Sequence, residues 1–187
     1  PHINRNESHR HCVGLLGLIL TRDEALADKM RRLTDHGRTD HYSHDLLGYN
    51  FRMDGMQAAV LSVKLKYLEA WLEKRRAQAR TYLQLLSTSS IRTPTERDGC
   101  RHVHTYYVIR SAKRDEIREA LTEEGIASAI HYPIPCHLQP AIKDLGYQPG
   151  DFPVSEAAAS QILSLPIFAE LPPEQVEQVA KVIRSVA

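Results

Sequence analysis

Apolar and polar positions along this chain change period several times, and the changes divide it. Val13-Gly14-Leu15-Leu16-Gly17-Leu18-Ile19-Leu20 is an apolar run of strand length, and its lack of alternation predicts burial on both faces. Thr21-Arg22-Asp23-Glu24 has the spacing of a capping box, in which a hydroxyl and a carboxylate satisfy the free amides of a helix start. Leu26, Met30 and Leu33 follow at helical spacing, and His36-Gly37 reads as the stop. From Arg38 to Met53 neither period is sustained, which predicts a loop carrying Tyr42, His44, Gly48, Tyr49, Asn50 and Arg52.

Asp54-Gly55-Met56-Gln57 is a second capping-box spacing and opens the longest helical pattern, with no glycine between Gly55 and Gly99 and no proline until Pro94. Met56, Val60, Val63, Tyr67, Trp71 and Leu72 lie near one face, and Tyr82, Leu83 and Leu86 continue it. An unbroken helix over 54–89 would span roughly 50 Å at 1.5 Å per residue. A compact body of this chain length is only about 40 Å across. The pattern therefore predicts a helix that joins two bodies or crosses a subunit interface. The alternative is two shorter helices with a kink near Lys74-Arg75-Arg76.

Beyond Pro94 a βαβ-like series is expected: a strand over 104–110, a helix over 114–124 closed by Gly125, and a strand over 126–132. A proline-punctuated loop over 133–152 follows, then a helix over 154–162. A last helix runs from Pro173 to Val186, with proline where its missing amide costs nothing.

Composition narrows the class without naming it. The 24 basic and 23 acidic side chains nearly cancel, so no broad positive field is available to hold nucleic acid. No run approaches the roughly 20 apolar residues of a membrane span, and the first residues lack the apolar stretch of a secretory signal. A cytoplasmic protein with neither nucleic acid nor membrane as partner is expected. Cys12, Cys100 and Cys136 have neither disulfide nor zinc spacing and read as free thiols. The segment Pro1 to Cys12 has one aliphatic residue, Ile3, and reads as a tail, a processed end or the edge of a truncated chain.

Three places could carry chemistry. Gly48-Tyr49-Asn50-Phe51-Arg52-Met53 precedes a helix start, where free amides and the positive end of the dipole favour an anion and the guanidinium of Arg52 can donate twice to a phosphate. The competing reading makes Asn50 a turn residue and Arg52 a surface ion-pair partner. In His131-Tyr132-Pro133-Ile134-Pro135-Cys136-His137-Leu138-Gln139-Pro140 the prolines fix the backbone, so the polar groups between them can form a ligand-contacting lip. No second ligand cluster accompanies it, so a metal site is not expected. Ser8-His9-Arg10-His11-Cys12 could pair a cysteine with a histidine, but a segment so poor in core residues reads first as a tail.

At these residues the chain resembles a family. Gly48 to Met53 followed by Gln57-Ala58-Ala59, the helix carrying Arg75 to Tyr82, Gly125-Ile126, His131-Tyr132-Pro133, and Phe152-Pro153 through Leu163-Ser164-Leu165-Pro166 together resemble the DegT/DnrJ/StrS sugar-nucleotide aminotransferases. The likeness runs in order from about Gly14 to Val186. It implies an α/β chain of the aspartate-aminotransferase-like, type I pyridoxal-phosphate transferase fold. Residues 1–53 would be a remnant of the large cofactor-binding domain, 54–89 a linking helix and 90–187 the small carboxy-terminal α/β domain.

The resemblance also implies the cofactor pyridoxal 5'-phosphate, a nucleotide-linked keto sugar as substrate, glutamate as amino donor, and a homodimer with shared sites. Asn50 would reach the cofactor phosphate of the neighbouring subunit, while Tyr42, Arg52, His131 and Tyr132 would line the nucleotide-sugar pocket together with His137. The His-Tyr-Pro-x-Pro-x-His-x-Gln-Pro form of 131–140 resembles members acting on 3-keto sugars.

One departure bears on activity. The family's cofactor-linking lysine lies twelve or thirteen residues before the position of Thr21, which here is His9 or Ser8, and no lysine precedes Lys29. The chain is therefore expected to correspond to the carboxy-terminal half of such an enzyme, with no catalytic residue assigned and no transamination on its own. Two other readings are a dehydratase variant with His9 in place of the lysine, and a non-catalytic partner that donates Asn50 and Arg52 to another chain's site.

Overall fold

In the computed structural model the described residues are Ile19 and residues 21–187. The strand expected over 13–20, apart from Ile19, and the segment with His9 and Cys12 lie outside them. The chain divides into two units, 8–67 and 68–187.

The first unit contains α1 (Glu24–Thr34) and α2 (Gly55–Leu65), joined by the loop that carries Tyr42, Asn50 and Arg52. Helix α1 starts as its sequence suggests, with a shift in the cap. Asp23 rather than Thr21 is the N-cap, its Oδ1 accepting from Leu26 N at 3.0 Å, while Thr21 Oγ1 accepts from Asp23 N at 3.1 Å. At α2 the expected box forms: Asp54 Oδ1 accepts from Met56 N at 2.8 Å, and Asp54 N donates to Gln57 Oε1 at 3.3 Å.

The single helix expected over 54–89 is two helices, α2 and α3 (Leu68–Leu86). Lys66 N donates to Val63 O and Tyr67 N to Lys64 O, a tightened turn that interrupts the four-residue ladder. The break falls at 66–67 instead of the basic stretch 74–76, and it coincides with the boundary between the units.

In the second unit, β1 (Tyr107–Arg110) pairs antiparallel with β2 (Ile162–Leu165), with Val108 opposite Ser164 and Ile109 opposite Leu163. Between them in sequence lie α4 (Arg114–Glu123), two 3-10 turns (Cys136–Leu138 and Pro140–Leu145) and α5 (Pro153–Gln161). Helix α6 (Pro173–Val186) ends the chain. Segment 126–132 is not the full strand its pattern suggests: it joins the sheet by one bridge, Ala129 to Ser164. The βαβ reading is thus modified, because β2 inserts between β1 and this segment.

Helix α6 packs on α3 and α4 over a core of Tyr82, Leu86, Tyr107, Ile109, Ile117, Leu121, Leu163, Val176, Val179 and Ile183. Each such side chain contributes about 1.5–3 kcal/mol by leaving water. Burial pushes the Tyr107 phenol up to about 12, so it stays neutral.

A polar row on α3 fastens the segment leaving β2. Arg75 Nη1 donates to Ile167 O at 2.9 Å, Gln78 Nε2 to Phe168 O at 2.7 Å and Leu171 O at 3.0 Å, and Tyr82 Oη to Pro166 O at 3.0 Å. These carbonyls lie where no strand partner reaches them, so the side chains supply the hydrogen bonds that burial requires. Among the described residues no helix is long and apolar enough to cross a membrane, and Cys100 and Cys136 are free thiols.

Candidate functional site

The expected site residues fall into two groups, one in each unit. In the first, segment 48–51 runs antiparallel to the end of α1. His36 N donates to Tyr49 O at 2.9 Å, Tyr49 N to Leu33 O at 2.7 Å and Phe51 N to Thr34 O at 2.9 Å, which sets Asn50 opposite Asp35. Two glycines permit this approach. A Cβ on Gly37, whose φ is +73°, would lie 1.7 Å from Leu46 O, and one on Gly48 would lie 2.0 Å from Gly37 N.

Asp35 then orders the cations. Its Oδ2 accepts from Arg38 Nη2 at 2.6 Å and its Oδ1 from Arg52 Nη1 at 3.4 Å, while Arg52 Nε donates to Asn50 Oδ1 at 3.0 Å. The amide nitrogen of Asn50 and Nη2 of Arg52 keep no protein partner among the described residues, and both side chains are exposed. Two adjacent donors suit an anion such as a phosphate.

The helix end expected to assist them is closed by Asp54, whose carboxylate occupies the α2 N-terminus. An anion here is therefore met by side chains and not by the helix. Tyr42 is 86% exposed on the turn capped by Asp40, and it shares no hydrogen bond with Asn50 or Arg52. The N–H groups of Tyr42 and Ser43 hold Asp40 below the usual carboxylate range.

In the second unit, His131 Nδ1 lies 2.9 Å from Ser164 Oγ, and its ring stacks on Tyr106 with centroids 4.2 Å apart and planes 26° apart. Tyr132 meets the same imidazole edge-on at 5.6 Å and is 69% exposed. The structure thus brings His131 and Tyr132 together with two residues the motif reading left without a role, Tyr106 and Ser164.

His137 is placed differently. It is buried, its Nε2 lies 3.0 Å from Glu156 Oε1, and its ring contacts Phe152 at 4.7 Å. Glu156 also accepts from Gly150 N at 2.8 Å and Phe152 N at 3.3 Å. Chiefly the Gly150 N–H holds the Glu156 carboxyl below its ordinary range. The cluster ties the proline loop to the start of α5.

Asp35 and Glu156 had no signal beyond lying at a helix end and in a helix's first turn. Ser164 had one, a lone hydroxyl in an otherwise apolar strand. A separate cleft of about 120 Å³ in this unit, bordered by Arg76, Arg80, Glu96 and His104, contains none of the expected residues.

Comparison with known proteins identifies the family. The model of the DegT/DnrJ/EryC1/StrS aminotransferase family matches residues 8–184. This chain belongs to that family. It is 47% identical over 178 residues to a pleiotropic regulatory protein of Geobacillus stearothermophilus, covering 91% of this chain and 48% of that one. It is 41% identical over 169 residues to a UDP-N-acetyl-3-dehydro-alpha-D-glucosamine 3-aminotransferase of Acidithiobacillus ferrooxidans, covering 90% and 45%.

Among solved structures, Streptomyces venezuelae DesV in complex with a ketimine intermediate superposes with a TM-score of 0.86 at 37% identity, covering 89% of this chain and 45% of that one. The chain spans about half the length of the curated relatives it matches. As a DegT/DnrJ/EryC1/StrS chain it has the type I pyridoxal-phosphate transferase fold, as the resemblance implied. Pyridoxal phosphate is the cofactor of the family, whose members include transaminases of nucleotide-linked keto sugars.

Proposed function

We propose that this chain supplies part of the active site of a pyridoxal-phosphate-dependent aminotransferase acting on a nucleotide-linked 3-keto sugar, with glutamate as amino donor. The observation that carries the reading is the Asn50–Arg52–Asp35 arrangement, in which one carboxylate orients a guanidinium beside an amide and leaves a donor of each facing outward. That donor set fits the cofactor's phosphate and the phosphates of a nucleotide. When bound, the cofactor supplies an electron sink for the carbon that gains or loses the amino group.

The chain's own residues bind and orient. Asn50 donates to the cofactor phosphate of the neighbouring subunit, and Arg52 and Tyr42 hold the nucleotide. His131 and Tyr132 form the sugar lip, which His137 keeps in place through Glu156. The 3-keto preference is supported by the 131–140 motif and by the 3-amino and 3-dehydro sugars named among the relatives.

A homodimer is part of the proposal. Helix α2 buries none of its residues, and Met56, Val60 and Val63, on one helical face, are exposed. A second copy is the occupant that a site shared between subunits requires. With no lysine before Lys29 to hold the cofactor covalently, the 187 residues alone do not transaminate in this reading.

The test is to add pyridoxal 5'-phosphate to the purified chain and follow its absorbance, then treat with borohydride and map any adduct. We expect saturable binding that Asn50→Asp weakens, and no adduct at a unique residue. A single reduced site would overturn the assignment of no covalent anchor, and binding indifferent to Asn50 would overturn the phosphate role.

A further inference from the structure

We infer that Ser164 is a positioning residue that holds neutral His131 as its Nε2–H tautomer, making His131 a hydrogen-bond donor toward the ligand. The donor role rests on the nucleotide-sugar reading above; the tautomer does not.

Ser164 is held from both sides. Its backbone exchanges two hydrogen bonds with Ala129, at 2.7 and 3.2 Å, and it lies opposite Val108 in the β1–β2 ladder. It is 5% exposed, and its hydroxyl has one partner among the described residues, His131 Nδ1 at 2.9 Å. Tyr106 stacks on the imidazole and limits its rotation.

The hydrogen between Oγ and Nδ1 can belong to either. If Ser164 donates, both groups are satisfied and the ring proton sits on Nε2. If His131 donates from Nδ1, the serine hydrogen is left buried with no acceptor, and a buried donor without a partner carries its full desolvation cost. The first arrangement is therefore favoured. Nε2 has no protein partner among the described residues and is not sealed from solvent, so its N–H is open to a ligand at the ring that Tyr132 meets edge-on. A donor at that point selects an oxygen acceptor, such as a sugar hydroxyl, a keto oxygen or a phosphate.

Ring-nitrogen chemical shifts of the nitrogen-15-labelled chain, recorded where imidazole is neutral and assigned by their loss in His131→Gln, report the tautomer directly. Wild type is expected to show a protonated Nε2 and an unprotonated Nδ1. Ser164→Ala should lower the tautomer ratio by about tenfold, the worth of one net hydrogen bond, and Ser164→Thr, which keeps the hydroxyl, should restore it. A protonated Nδ1 in wild type, or a ratio unchanged in Ser164→Ala, would overturn the inference. Adding UDP-N-acetylglucosamine separates the two levels. If the tautomer is as expected and the probe leaves the Nε2–H signal unmoved, the nucleotide-sugar reading fails while the hold of Ser164 on the ring stands.

Discussion

Arg52 Nε donates to the Oδ1 of Asn50 at 3.0 Å, so the asparagine oxygen is occupied and its NH2 group is the end presented outward. Asn50→Asp keeps the bond to Arg52 but replaces that donor by an acceptor carrying charge. Affinity for pyridoxal 5'-phosphate is expected to fall by about tenfold or more, the worth of one charge-assisted hydrogen bond. Titration calorimetry measures the loss, and an unchanged melting temperature shows that the loop is intact.

Gly48 controls whether that pair is assembled at all. A Cβ there would lie 2.0 Å from a backbone nitrogen, which cannot yield as a flexible side chain can. Gly48→Ala is expected to separate segment 48–51 from the end of α1 and destabilise the unit by about 1–3 kcal/mol. Urea denaturation reads the loss, together with disappearance of protection at the Tyr49 and Phe51 amides.

The exposed face of α2 predicts a self-association phenotype. Val60→Asp places a charge between Met56 and Val63, where a second copy is proposed to pack. Sedimentation should show a shift from dimer to monomer, with the helical content of the chain preserved. A dimer of unchanged stability would remove α2 from the interface.

On α3 the phenol of Tyr82 is fully buried and bonds to Pro166 O. Tyr82→Phe leaves that carbonyl without its donor while keeping the ring that stacks on Tyr107. The expected cost is about 1–2 kcal/mol in denaturant unfolding.

Glu156 gives a pH dependence with a defined sign. Its carboxylate is favoured in the folded chain by the N–H groups of Gly150 and Phe152 and by His137, so its folded pKa lies below the ordinary glutamate value. Its stabilising contribution is complete above that ordinary value and is lost as pH falls through the lower folded one. The amide proton shifts of Gly150 and Phe152 should titrate together in that acidic window, and Glu156→Gln should abolish the transition.

What could be read in advance follows the range of each interaction. The starts of α1 and α2, the stop of α4 at Gly125 and the proline start of α6 are set by neighbours within four residues, so their signals are local. The break at 66–67 had no local mark, because Lys66 and Tyr67 are compatible with a helix interior. Strand β2, four residues with a central serine, is too short for periodicity to declare it and is defined by its partner β1.

The same division holds at the candidate site. Motifs in their order along the chain mark the family, and they name the residues that could bind an anion or line a lip. Their partners come from the folded chain: His137 turns inward to Glu156, Arg52 is tied to Asp35, and His131 is set against Ser164, 33 positions away. Capping and helical periodicity are encoded by residues that remain neighbours in any conformation. A histidine's orientation and tautomer depend on which distant hydroxyl the folded chain brings within 3 Å, and no local pattern records that.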